Sequence, residues 1–481
     1  MKILYKWLPV LAVVLLTACH DEVTNIDPEN KINTALVFST PARMEQAVIG
    51  CYNSLQAGNM LQARALVYAD VLGEDVINRT SNFGDIPRYT TLSSNAMAAG
   101  LWQAGYKAIA DANRVIAGID ANRTNTTPEQ ADMWIAEAKF VRAMAHFYLV
   151  NLFAQPYVFT TDASHLGIPI MTQAFYSNDP AANQPRSSVK LVYDQVIKDL
   201  TEALPVLPPS YGTSYQSKTR ATKAAAAAFL SRVYLYKEDF ENAKTYAWDV
   251  INKQYGDFGL NTQPSQTYGA NNYLTNESIF SIPSKAGDFE AGFTLTAHYT
   301  TSTDLYINPD FLNITINPWL AVDDKRRTQL TGNNATLGVP VTLKYRDVAD
   351  WAPVFRYAEV LLNYAEAAGK LAATVDAEAL ARLNEVRNRS RVSAAPYTNI
   401  TINSKQLLID AVLAERRIEL AFEGHRIFDL NRNKMKLTNK RDFDFNTRVA
   451  DQDFGADKRI LPVPLIEIQR SRGVLERNPG Y

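Results

Sequence analysis

Histidine and cysteine are scarce in this 481-residue chain, with five of one and two of the other. The histidines, at 20, 146, 165, 298 and 425, stand singly, so the paired spacing of a zinc site is missing. No glycine-rich phosphate loop and no nucleophile elbow occurs, which removes the common nucleotide and serine-hydrolase signatures. Net charge is also lacking: 49 basic against 50 acidic residues give −1, so no long-range field draws a polyanion and nucleic acid is excluded as an expected partner. Beyond the first residues, no stretch approaches the roughly 18 uninterrupted apolar positions of a membrane helix.

The amino terminus is different in kind. Lys2 and Lys6 precede an apolar stretch from Leu8 to Leu16, which runs into Leu16-Thr17-Ala18-Cys19. A positive start, a short apolar core and small residues at a cleavage point describe a secretory signal over residues 1–18, too short to span a bilayer. Leu-Thr-Ala-Cys resembles a bacterial lipobox, which makes Cys19 the expected lipid anchor. Each buried CH₂ adds about 0.8 kcal/mol, so several acyl chains hold firmly. Residues 19–35 read as a polar tether and 36–481 as a single domain. With Cys19 lipidated, Cys51 has no partner; the chain is not disulfide-built, and Cys51 is expected to be a small buried apolar residue.

Apolar periodicity predicts a mainly α fold. Trp134, Ala138, Val141, Ala145, Tyr148 and Leu152 form one stripe. Thr127 is placed to cap this helix, Pro128 to start it and Pro156 to stop it. Leu101 to Ile119 is its expected antiparallel neighbour. Between Lys223 and Lys253, Leu230, Ser231, Tyr234, Phe240, Ala243, Ala247 and Val250 fall at tetratricopeptide-repeat spacing, with Glu238-Asp239 at the turn. Small Ser231 and Ala243 let the paired helices approach, and Tyr234 and Phe240 fill the wedge. Arg356 to Arg389 reads as a second such hairpin, with Asp376 as N-cap. Ser404 to Glu423 reads as a helix closed by Gly424. The repeat helices thus fall in about 101–153, 187–253 and 355–430. The Gly-, Pro- and Asn-rich segments 60–95, 157–186 and 261–354 are expected as ligand-site loops, with short strands at Ser278 to Pro283 and Val341 to Tyr345.

Several segments together are similar to the SusD/RagB family: Glu137 to Phe153, Phe355 to Ala367 with Leu383 to Arg389, Glu415 to Leu430, and the ending from Leu461 to Tyr481. The acidic His20-Asp21-Glu22 after the anchor is similar to surface-export signals of lipoproteins in the Bacteroidetes. The resemblance implies four tetratricopeptide-like helix pairs as a scaffold and non-catalytic capture of a nutrient, most often a glycan, at the outer-membrane surface. It also implies a SusC-like TonB-dependent transporter as partner, with a glycosidase or a peptide-binding scaffold as the competing readings.

Aromatic residues, 24 Tyr, 20 Phe and 6 Trp, suit stacking on sugar rings, although most fill helix interfaces. By position, Gly73 to Arg79 resembles a family segment bordering the ligand site. Asp75, Asn78 and Arg79 are then the candidate hydroxyl ligands and Phe83 or Tyr89 the stacking ring, with Tyr273, Tyr299 and Trp319 completing an aromatic arc. Trp102 and His146 are read as core. Glu415, Glu419 and Glu423 lie four apart, as an acid–base pair could, but interleaved Arg416, Arg417 and Arg426 favour an ion-pair network. No cofactor is expected. Asp442, Asp444, Asn446 and Asp453 only loosely resemble a Ca²⁺ loop, because Thr447 stands where glycine is required.

Overall fold

The computed structural model describes residues 34–80, 83–175, 180–269, 272–285, 287, 292–301 and 304–481. The expected signal peptide, Cys19 and most of the tether lie outside the described residues. In chain order the principal helices are α1 (Pro41–Gln56), α2 (Arg64–Leu72), α3 (Ala96–Ala121), α4 (Pro128–Phe153), α5 (Val189–Ala203), α6 (Lys223–Tyr236) and α7 (Phe240–Ile251). They continue with α8 (Tyr357–Leu371), α9 (Ala377–Ser390), α10 (Lys405–Glu419), α11 (Arg426–Arg432) and α12 (Leu465–Arg470). The expected mainly α architecture is what the chain adopts.

The helices stack in series. α1 packs on α3, α3 on α4, α4 on α5, α5 on α6, α6 on α7, α7 on α8, and α8 on both α9 and α10. Side-chain caps start most of them: Thr127 accepts from the Gln130 amide, Ser188 from Leu191, Thr222 from Ala225, Asp239 from Asn242 and Asp376 from Ala379. Each such cap contributes about 1 kcal/mol by satisfying an otherwise unpaired amide. The turn between α6 and α7 puts Glu238 in the left-handed region (φ 61°). Every residue of α6 from Ala224 to Tyr236 is buried, and its run of five alanines allows neighbours to approach closely. Leu383 and Val386 of α9 and Leu361 of α8 are fully buried in the interface the repeat spacing predicts.

Several expectations are corrected. α3 begins five residues before Leu101, because Asn95 accepts from the amides of Met97 and Ala98. α10 ends at Glu419, not Glu423. There the carbonyls of Glu419 and Ala421 are taken by Lys344 Nζ, at 3.1 and 2.8 Å, and Arg356 Nη2 takes Glu419 O at 2.7 Å. Those buried cations satisfy the helix end that a continuing turn would otherwise serve. Gly424 acts further on: at φ 78° its backbone lies so close to Leu66 that a Cβ would come within 2.7 Å of Leu66 Cα.

Among the described residues the strands form three two-stranded antiparallel ribbons. β1 (Val76–Asn78) pairs with β3 (Leu305–Ile307), β2 (Ser278–Ile282) with β6 (Ala352–Arg356), and β4 (Thr331–Asn333) with β5 (Pro340–Thr342). The strand expected over Val341 to Tyr345 is thus shorter and shifted by one residue. β6 occupies the start of the segment read as helix from Arg356. Cys51 is fully buried, and burial pushes its thiol up. His146 is also fully buried, with Nδ1 against Arg142 O and Nε2 accepting from the Met171 amide; burial lowers its pKa to about 3, so it is neutral.

Candidate functional site

An open cleft of about 310 Å³ lies where β1 leaves the sheet, lined among others by Asn78, Arg79, Asp85, Arg88, Asp442 and Phe443. The strand is held from behind. Asn308 Nδ2 donates to Glu74 O and Asn439 O, both at 2.8 Å, and the Arg79 amide extends the ladder to Asp304 O at 2.9 Å. Glu74 and Asp75, both buried, receive Arg426 and Arg417 at 2.6 and 2.5 Å. The two arginines hold the Glu74 carboxyl down at about 2 against the opposing effect of burial.

At the rim, Asn78 closes a local turn, its Nδ2 donating to Thr80 O at 2.8 Å and its Oδ1 accepting from the Thr80 amide. The Arg79 guanidinium is exposed and makes no ion pair among the described residues. Across the cleft, Arg88 Nε donates to both oxygens of Asp442, at 3.0 and 2.9 Å, and its guanidinium lies 5.0 Å from the centre of the Phe443 ring. Phe443 is 50% exposed. The arrangement offers an apolar ring face beside guanidinium donors, with one side-chain amide at the rim, groups suited to a sugar ring.

The structure sorts the residues named from sequence. Asn78 and Arg79 line the cleft. Asp75 does not: it is buried and paired with Arg417, so its oxygens are turned inward. Phe83 is 1% exposed, edge-on to Tyr68 at 5.9 Å, which leaves no face for a ligand. Tyr89 is buried with its hydroxyl donating to Leu72 O at 2.7 Å. Tyr273 is buried under the Trp351 ring, parallel within 10° at 5.5 Å. Tyr299 donates to Asp70 inside the core at 2.6 Å. Trp319 is half-buried and edge-on to Tyr397, away from the cleft lining. The expected arc of Tyr273, Tyr299 and Trp319 is corrected accordingly, since their rings complete the protein's own packing. Trp102, read as core, is buried against Phe153.

Sequence reasoning missed Arg88 and Phe443. The available signal was an aromatic residue between two aspartates, in a stretch with no apolar periodicity to bury it. Asp442 was noticed, but for calcium. Its carboxylate is instead committed to Arg88, Asp444 accepts from the amides of Asn446 and Thr447, and Asp453 pairs with Lys436. Among the described residues no group of three or more His, Cys, Asp or Glu is placed to hold a metal ion.

The carboxylates that could suit glycoside cleavage lie elsewhere, fully enclosed. Arg356 reaches Glu419 at 2.6 Å, Glu423 at 2.7 Å and Glu277 at 3.1 Å; Arg389 reaches Glu419 and Glu277; Arg326 pairs with Glu415; Lys344 pairs with Glu423. Burial opposes ionisation of Glu419 and Glu423, but the surrounding cations prevail and hold Glu423 at about 2 and Glu419 well below the usual range. Burial raises the Glu415 carboxyl, with Arg326 and Arg387 acting against it.

Two family models match the chain: one described as "SusD family" over residues 342–481, and one described as "Starch-binding associating with outer membrane" over residues 25–235. Among curated proteins, SusD-like protein P2 of Formosa agariphila is 27% identical, with 99% of each chain covered. A SusD-like protein of Bacteroides ovatus is 23% identical, covering 87% of this chain and 80% of its own. A SusD superfamily protein from Bacteroides fragilis superposes with a TM-score of 0.80 at 27% identity, covering 91% of this chain and 99% of the other. The surface glycan-binding protein A of Bacteroides thetaiotaomicron shares the fold, with a TM-score of 0.72 at 17% identity and coverage of 92% and 99%. Among the described residues no helix is long and apolar enough to cross a membrane. The two family models, the relatives matched over nearly the whole chain and the shared fold agree, and the chain belongs to the SusD/RagB family.

Proposed function

We propose that this protein is a non-catalytic capture protein for an oligo- or polysaccharide, held at the outer-membrane surface by lipid on Cys19, which delivers its ligand to a SusC-like TonB-dependent transporter. Residues 36–481 act as one unit in this reading, and the cleft at Asn78, Arg79, Arg88 and Phe443 meets the sugar. The observation that carries it is the division of polar groups between interior and surface. The carboxylates with the right spacing for acid–base chemistry are closed off and neutralised by guanidinium groups, whereas the open cleft presents binding groups: a phenyl face, a guanidinium with no ion pair among the described residues and a side-chain amide. The family description as starch-binding and outer-membrane-associating supports the ligand class and location.

The test uses lipid-free protein from residue 20 onward, titrated calorimetrically with a panel of oligosaccharides alongside a reducing-sugar assay. Saturable binding without sugar release is expected. Turnover that disappears on replacing a single carboxylate would overturn the non-catalytic assignment, and failure of every glycan to bind would overturn the ligand class.

A further inference from the structure

The cleft is not the largest concavity. A groove of about 890 Å³ runs where α3 meets the 169–171 and 182–184 segments, α12 and the residues following it. That size is within the roughly 300–1,000 Å³ of small-molecule sites. Trp102 and Tyr106, one helical turn apart, share the face of α3 that forms its floor. Tyr106 is half-buried, and its hydroxyl donates to Pro169 O at 2.9 Å, which fixes the ring. Trp102 lies behind it at 4.9 Å and is itself wedged edge-on to Phe153.

The rim is polar and half-used. Gln103 Nε2 and Arg470 Nη1 donate to the same Glu467 oxygen at 3.0 and 3.1 Å, Asn183 Nδ2 donates to Ser471 O at 2.9 Å, and Gln184 Nε2 donates to Ala181 O at 2.7 Å. Each amide thus has its NH₂ group anchored. Among the described residues no donor reaches the amide oxygens of Gln103, Asn183 or Gln184. Three amide oxygens with no donor among the described residues and the spare donors of Arg470 therefore line the groove together with the tethered Tyr106 ring. The floor is apolar, with Pro169, Met171 and Leu475 beside the two rings, and the rim is polar, the division that sugar C–H faces and hydroxyls require. We propose that the groove is a second oligosaccharide-binding site, which lets the protein hold a polysaccharide at two points. The ligand class rests on the capture reading; the site rests on its own geometry.

The experiment is affinity electrophoresis through gels containing starch, xylan, galactomannan or polygalacturonate, with tryptophan emission recorded in parallel. Gln103→Ala combined with Gln184→Ala changes rim groups without touching the core, and Tyr106→Phe keeps the ring while removing its tether. Melting temperature controls for folding. The double rim variant is expected to weaken retention about tenfold, the equivalent of one or two lost hydrogen bonds. Ligand is also expected to shift the tryptophan emission, and Trp102→Phe to abolish that shift while the other tryptophans still emit. Retention lost in Arg79→Ala with Phe443→Ala but unchanged in the rim variant would overturn the groove and leave the capture reading standing. Retention lost in the rim variant alone would support the groove and remove the cleft. Wild-type protein retarded by none of the polysaccharides would overturn both.

Discussion

Asp70 and Tyr299 meet inside the protein, with the phenol hydroxyl donating to Asp70 Oδ2 at 2.6 Å and the Gly424 amide donating to both carboxylate oxygens at 3.1 Å. Among the described residues no cation pairs with Asp70, in contrast to the glutamates of the arginine network. Burial therefore dominates and raises its pKa from 3.8 to about 7, despite the two donors. The folded state holds this proton more tightly than the unfolded chain. Its contribution to stability is fully present below pH 3.8 and is lost as pH rises through about 7. Asp70→Asn should remove that dependence, so the variant should gain melting temperature relative to wild type between pH 5 and pH 8. A constant difference across that range would show that Asp70 does not titrate there.

Arg356 joins Glu277, Glu419 and Glu423 and also serves a helix-end carbonyl. Arg356→Ala leaves three buried carboxylates short of a cation and should destabilise by about 3–5 kcal/mol. Arg356→Lys should recover only part of this, since an ammonium lacks the planar fork that spans three partners. Denaturant midpoints of the two variants, compared at fixed slope, measure both effects.

Phe443→Ala should weaken glycan binding by about 1–3 kcal/mol while leaving the melting temperature unchanged, because a ring half-exposed on the surface contributes little to the core. Phe83→Ala should do the opposite, destabilising by about 3–5 kcal/mol through the cavity it leaves beside Tyr68. Calorimetry and thermal melts on the pair distinguish ligand contact from packing.

Cys19→Ala should release the protein from the membrane fraction, because the polar sequence that follows carries too few apolar residues to replace the acyl chains. Persistence of the variant in washed membranes would show that another element holds it there.

How much was legible from sequence follows from the range of the interactions involved. α4 and the α6–α7 hairpin were readable because Thr127, Pro128, Asp239 and the apolar stripe act within a turn or two of themselves. β6 was not: Ala352–Arg356 is extended because Ser278–Ile282 pairs with it from some seventy residues away, and the helix begins in the next residue. Phe83 and Tyr89 misled for the same reason. They sit among Gly, Asp and Pro, where an aromatic residue is expected at the surface. Their partners Tyr68, Leu72 and His298 arrive from other segments and enclose them. Asn78 and Arg79 line the cleft as neighbours in sequence, whereas Phe443 lies far along the chain and is brought to them only by the fold.

Glu277 belongs to the long irregular insertion, yet its two carboxylate oxygens are held by Arg356 and Arg389 of the scaffold. An engineer wishing to exchange that insertion for one from a relative with another ligand would have to keep this acid, as well as Lys344 and Arg326, which pair with scaffold glutamates. A chimera lacking an acid at the same register would bury two guanidinium groups short of a counter-charge, so the graft's success should hinge on a residue far from any ligand contact.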